Sequence, residues 1–459
     1  MLRLTWVQPE DLLGHELRQA AQDGREPKAV AARWRAAGGP EAPARAGASP
    51  EPSSRYLRLL AEDLLDELAE LPSSLAEAEP TELAAIKALC PDWPARPAAS
   101  GAASTAAPDV ERLEAAWVGR AAGCLLGKPV EKLPLDGIRQ LARAAGNWPL
   151  TTWFTARGVP DDLTARHPWN RRSAATSLAE NIDGMPEDDD LDYPLLNLLL
   201  LQRHGKDFST ADVARLWLDE LPAGRAFTAE RVAYRNLLLG IEPPRTARHR
   251  NPFREWIGAL IRADVHGWTH PGDPAAAAEQ AHRDAVLTHT ANGVHAAMFA
   301  AAVIAAAAGG AHDVHACLAV GLTVVPPGSR LARAVRHAVE LAAVHEDFDT
   351  VVDELHATYS AAYHWVHAVP NTALIAAALT HADGDFSASV CRAVSGGWDT
   401  DSNGATAGSV AAALAGSPAA LPERWTAPLK NRLATSVGDF DGIGFDALAR
   451  LTHREAARR

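Results

Sequence analysis

Cysteine is scarce in this chain of 459 residues. The four present, Cys90, Cys124, Cys317 and Cys391, form no Cys-x-x-Cys pair. That spacing excludes a zinc knuckle and supplies no disulfide framework. Runs of β-branched residues are few and strand-like alternation is almost absent, which excludes a β-rich fold. Alanine dominates instead, and it enters helices without losing side-chain entropy. Positive charge is also short. There are 44 Lys and Arg against 57 Asp and Glu, a formal net charge of −13. With no basic stripe carrying interleaved aromatics, general nucleic-acid binding is excluded. No HExxH, GxSxG or Walker motif occurs, and no GxGxxG follows a strand. The opening "MLRLTWVQPEDLLGHELRQ" lacks the basic-then-apolar pattern of a signal peptide. The most apolar run, residues 294–311, is mostly alanine, a poor membrane anchor, and is expected to be a buried core helix. Together these absences lead to the expectation of a reducing, cytoplasmic, monomeric protein without a membrane partner.

What is present suits a large helical core: 47% of residues are hydrophobic and 22% charged. Residues 1–108 hold four helical patterns separated by Pro/Gly/Ala/Ser-rich linkers and carry no catalytic constellation. They read as a helical N-terminal appendage. Residues 109–459 read as one mostly helical unit, with helical stretches recurring from about 112–126 to 428–435 and irregular stretches at 145–175 and 240–252.

Two helices carry stripes of small residues. Ala115, Gly119, Gly123 and Gly127 recur every four residues, as do Gly404, Gly408, Ala412 and Gly416. Residues four apart share a helix face. Each interior glycine costs up to about 1 kcal/mol relative to alanine, so close helix–helix approach must offset it.

Acidic residues gather at two helix entrances. "GMPEDDDLDYPLLNLLLL" sets Glu187, Asp188, Asp189, Asp190 and Asp192 before a leucine-rich helix. First-turn acids complement the helix dipole, but four adjacent carboxylates repel one another, and a cation would remove that repulsion. "GGWDTDSNGATAGS" sets Asp399 and Asp401 before the second small-residue helix, which is expected to begin near Gly404 with Asp401 or Ser402 as its cap. Asp-x-Asp followed by a hydroxyl is a hard, oxygen-rich donor set suited to Mg²⁺ or Mn²⁺. Two such entrances suffice for a two-metal site. Glu131 closes the first small-residue helix. His289 lies in "THTANGVHAAMF", where a histidine is also at home as a satisfied core residue.

In this order the pieces resemble the ADP-ribosylglycohydrolase family: a glycine-striped helix ending in Pro-Val-Glu, an acid cluster before a leucine-rich helix, a Thr-His pair, and Gly-Gly-x-Asp-Thr-Asp before a small-residue helix. The resemblance spans roughly residues 110–445 and is most specific at "GGWDTDSNGATAGSVAAALAG". It implies an all-α, compact orthogonal multi-helix bundle, here with the extra N-terminal helical region. It further implies a centre of two Mg²⁺ or Mn²⁺ ions and release of ADP-ribose by cleavage at the ribose anomeric carbon. Carried over by position, Glu187, Asp188, Asp189, Asp399, Asp401 and Ser402 are the metal ligands, and Glu131 and Asp189 are catalytic. His289, Asn292, Gly293, Ser395, Gly396, Gly397 and Trp398 bind substrate, with the amides of residues 395–397 offered to a diphosphate and Trp398 to a stacked base. The expected partner is an ADP-ribosylated protein or a small ADP-ribosyl or riboside molecule.

This chain departs from the family pattern in four places. Glu187 and Asp190 replace threonines, Trp398 is inserted, Ser402 replaces threonine, and Gly127-Lys128-Pro129 replaces a Gly-Asp-Ala type of turn. The same residues also admit hydrolysis of a small N-riboside or nucleotide metabolite, a metal-dependent phosphohydrolase, or a nucleotide-holding protein without turnover.

Overall fold

The computed structural model describes residues 3–43, 47–95 and 109–458. Most of the linker expected before the large unit lies outside the described residues. Twenty-two α-helices and seven short 3₁₀ turns make up the described chain, with no β-strand among the described residues and only three isolated bridges. The fold is all-α, as the scarcity of strand alternation requires.

Two helices set the centre. Helix α1 of the N-terminal region (Pro9–Gln22) and helix α2 (Arg55–Glu70) lie outside it. Helix α3 (Val110–Gly127) and the later helix that carries the second stripe form the axis. The leucine-rich helix α4 spans Asp189–His204. Helix α5 (Ala291–Gly309), α6 (Arg330–Val344), α7 (Ala368–His381), α8 (Phe386–Ser395) and α9 (Thr400–Ala415) follow. Helices α3 and α9 run antiparallel with backbone against backbone. A methyl group added at Gly123 would overlap the Gly404 carbonyl, one at Gly119 the Gly408 carbonyl, and one at Gly127 the Thr400 backbone. The stripes therefore exist for close approach, which makes up for their poor helix propensity.

Helix α5 is long and apolar enough to cross a membrane by composition, but nearly all of it is packed inside the molecule. It ends at Gly310, which adopts the left-handed conformation that closes many helices.

Three expectations need correction. Helix α9 begins at Thr400, four residues before Gly404. Asp399 occupies its N-cap position yet makes no side-chain capping bond. The helix start is instead tied down by Thr400, whose hydroxyl donates to the Gly127 carbonyl at 2.8 Å. Residues 428–435 are not a helix: a 3₁₀ turn at Ala427–Leu429 leads into Leu433, which bridges Met185 and Ile443. A final helix, Phe445–Ala457, was not expected.

The N-terminal region is fastened to the rest by buried polar contacts. Arg254 pairs with Glu16 at 2.7 Å and with Asp23. Arg330, at the start of α6, pairs with Glu79 at 2.6 Å and Glu255 at 2.9 Å. Gln19 donates to Glu255 at 2.7 Å.

Candidate active site

The contact between α3 and α9 places three chain segments at one spot. The end of α3 turns through Lys128–Val130 and delivers Glu131. The start of α4 delivers residues 188–190. The start of α9 delivers Asp399 and Asp401. Because Gly127 lies against Thr400 and Asp401, the two striped helices bring Glu131 to the second acid cluster.

Carboxylate oxygens of Glu131, Asp399 and Asp401 lie within 4.8 Å of one another. The side chains of Asp399 and Asp401 are buried, whereas Glu131 is half-buried at the rim. Glu131 is held from both sides. Asn170 donates to Oε2 at 2.7 Å, and the Lys132 ammonium stands 2.6 Å from Oε1. Among the described residues neither Asp399 nor Asp401 has a cationic partner in an ion pair. Burial first, then the charges of Asp401 and Glu131, pushes the Asp399 carboxyl well above the carboxylate range. Burial, followed by Glu131 and Asp188, pushes Asp401 up to about 7. Asp189 likewise makes no ion pair among the described residues. Burial and the charges of Asp188 and Asp190 raise it strongly, and Asp401 and Glu131 add to the effect.

The rest of the acid run is occupied differently. Both oxygens of Asp188 are used: Oδ1 accepts from the Asp190 amide at 2.9 Å, and Oδ2 pairs with the Lys128 ammonium. Burial would raise Asp188, but the lysine holds it below the usual range. Both oxygens of Asp190 are used as well, by Arg120 and by the Ser402 hydroxyl, each at 3.2 Å. Glu187 pairs with Arg225 at 2.8 Å. Cys124, Asp188 and Asp190 also come within 4.8 Å of one another, but the thiol is a soft donor and burial keeps it protonated.

Of the expected substrate residues, Ser395 to Trp398 lead into this spot; Ser395 ends α8, its hydroxyl donating to the Arg392 carbonyl at 3.1 Å. The amides of Gly396 and Gly397 donate to the carbonyls of Arg392 and Val394, closing α8, so they are not free to hold a diphosphate. Trp398 takes a left-handed conformation (φ 56°) and stacks on His356 with ring centres 4.2 Å apart, so one ring face is already covered. His289, Asn292 and Gly293 are fully buried elsewhere. His289 bonds Thr288 at 2.6 Å and lies 3.8 Å from Glu230. Asn292 bonds Glu79 and Glu255 and accepts from the Leu331 amide. Gly293 packs against the Arg254 backbone, where a side chain would clash. Of the three, Asn292 reaches the N-terminal region, through Glu79; the partners of His289 and Gly293 named above lie in the large unit.

Several residues at the site had no individual role in the sequence reading. Asn170 comes from the irregular stretch 145–175. Asn371 of α7 accepts from the Asp399 amide at 3.1 Å and from Asn403 at 2.7 Å, fixing the loop. Lys128 carried one visible signal, its place in the Gly-Lys-Pro turn.

A family model for ADP-ribosylglycohydrolase matches residues 105–458. No curated protein matches in sequence. A solved structure titled "ADP-ribosylglycohydrolase-related protein complex" is similar over 76% of this chain and 98% of its own, at 21% identity and a TM-score of 0.46.

Proposed function

Because this chain belongs to the ADP-ribosylglycohydrolase family, we propose that it is a metal-dependent glycohydrolase that cleaves the ribose anomeric bond of ADP-ribosyl conjugates and releases ADP-ribose. Family membership supports hydrolysis of a glycosidic bond in general. The finer reading rests on one observation: Glu131, Asp399 and Asp401 converge within 4.8 Å, and among the described residues no ion pair is made by the two buried aspartates.

That donor set fits a hard divalent cation. It is all carboxylate, and its mutual repulsion is what a bound cation relieves. Glu131, Asp399 and Asp401 would hold Mg²⁺ or Mn²⁺, with Asp189 alongside. When bound, the ion supplies charge stabilisation and orientation at the reacting centre.

The remaining chemistry belongs to the chain. Glu131 sits at the rim, where solvent and substrate both reach it, and Asn170 and Lys132 fix its orientation. Its carboxylate is placed to accept a proton from the attacking water, as glycoside cleavage through an oxocarbenium-like transition state requires. Asn371 holds the 397–399 backbone, so the Asp399 carboxylate stays aimed at Glu131 rather than capping its own helix. Trp398, braced by His356, walls the site beside Asp399.

The test is hydrolysis of ADP-ribosyl conjugates by metal-stripped protein with and without added Mg²⁺ or Mn²⁺, with products resolved by mass. The expected result is metal-dependent release of ADP-ribose, lost in Glu131→Gln. Release of phosphate, or turnover of a simple riboside alone, would overturn the substrate class. Equal turnover without metal would overturn the metal role.

A further inference from the structure

We propose that this centre works with a single divalent cation, and that Lys128 stands in the place of a second. The inference rests on the metal-dependent reading above and concerns how the chain fills that site.

A two-ion centre needs both acid clusters to be open to metal. Only one is. In the run 187–190, three of four carboxylates already face a cation of the protein: Glu187 faces Arg225, Asp188 faces Lys128 and Asp190 faces Arg120. The Lys128 ammonium is almost wholly buried. It lies between the Asp188 carboxylate and the Glu187 carbonyl, the latter at 3.2 Å, and within electrostatic reach of Asp401 and Cys124. It therefore occupies the space between the two clusters that a second ion would take, and it carries the charge that ion would supply. The other Asp188 oxygen is already engaged in capping α4 through the Asp190 amide at 2.9 Å. Arg120 is anchored on its far side by Asp264 at 2.7 Å, so it cannot swing away from Asp190 without exposing a second buried carboxylate. Among the described residues the neighbouring cluster of Glu131, Asp399 and Asp401 has one ion pair, with Lys132 at its exposed edge.

Sequence chemistry explains how the substitution arises. Lysine follows Gly127 at the end of α3, where the 3₁₀ turn points its side chain back toward the start of α4. An ammonium is a compact point charge that satisfies carboxylates much as a cation does, without needing a coordination shell.

Metal-stripped full-length protein is titrated with Mn²⁺. The ions bound per chain are counted calorimetrically and by elemental analysis after desalting, and the bound Mn²⁺ is examined by electron paramagnetic resonance. We expect one ion per chain with the spectrum of an isolated Mn²⁺. Two ions per chain, or an exchange-coupled pair, would overturn the inference while leaving metal dependence intact. No bound ion would reject the metal reading itself, and this inference with it. In Lys128→Met the vacated charge position is expected to admit a second ion; a count still at one overturns the stand-in role. Asp188→Asn is the second variant, and it keeps the capping geometry. Here Mn²⁺ affinity stays within about threefold of the parent, because Asp188 is bound to Lys128 and not to metal. Loss of an ion in that variant would overturn the inference.

Discussion

Two regions of this molecule bury several carboxylates together, and they do so in opposite ways. At the junction with the N-terminal region, Glu255 is fully buried between Arg330, His367, Asn292 and Gln19. Burial alone would raise it, yet Arg330 and His367 hold it well below the usual range. At the α3–α9 contact, Asp399 and Asp401 are also buried but meet mainly other carboxylates, and both are raised. The first region is complete without a visitor. The second is stable only if protons or a cation relieve it. This is how a binding site differs from a structural network made of the same residue types.

The sharpest way to break this comparison is to remove a ligand from the incomplete region. Asp399→Asn is expected to weaken Mn²⁺ binding by more than the roughly 10–100-fold typical of an outer-shell partner, with turnover falling alongside. In metal-free protein the same change should raise the unfolding temperature, because it removes a buried carboxyl that must either ionise beside other carboxylates or take up a proton. A fall in metal-free stability would mean that Asp399 is a structural residue and would place both regions in one class.

The opposite outcome is expected from the complete region. Arg330→Met leaves Glu79 and Glu255 buried without their shared cation and should cost about 3–5 kcal/mol, read as a drop in the denaturation midpoint. Adding Glu255→Gln should restore part of it. If Arg330→Met is neutral, the N-terminal region is not fastened by this network.

How much of this was legible beforehand follows the same divide. The striped helices, the acid entrances and Glu131 could all be read, because each depends on residue type at local spacing. Gly123 against Gly404 is a long-range contact, but its signature lies in each helix separately. The misplaced residues failed for the opposite reason. Asn292 looks like a ligand residue beside His289, yet it is committed to Glu79, 213 positions away, and nothing local announces that partner. Gly396 and Gly397 look like an anion cradle until their amides close α8. Lys128 reads as an ordinary turn lysine until Asp188 is seen across from it. Local chemistry can be read from sequence; which groups are already satisfied cannot.

A third expectation sharpens the contrast through ligand linkage. Mn²⁺ at about a hundred times its dissociation constant should stabilise the protein by about 2.7 kcal/mol, measured as a shift in thermal midpoint. Arg330→Met should show the same increment from a lower baseline, because the two regions share no charged partner. An increment that vanishes in this variant would show that the N-terminal junction holds the metal site in shape, through the line from Glu255 to His367 and from Asn371 to the Asp399 amide.

The smallest effect belongs to His15 of α1, which packs edge-on against Phe253 and Trp256 at the complete region. Burial chiefly, and the nearby Arg18 charge, lower it from 6.5 to about 3. Unfolded His15 takes up a proton as the pH falls below 6.5, and folded His15 does not until about pH 3. The unfolded state therefore binds more protons in that interval, and stability contributed by this residue is lost as the pH falls. Between pH 6.5 and 5.5 the loss is about 1 kcal/mol. Other buried histidines add to the slope in the parent, so the measurement is the difference between parent and His15→Phe across this window. The phenylalanine variant should lose less stability on acidification, since its ring keeps the aromatic packing and takes no proton. Equal slopes in the two proteins would mean that His15 already reaches solvent, and that the N-terminal helix is docked less tightly than its buried ion pairs require.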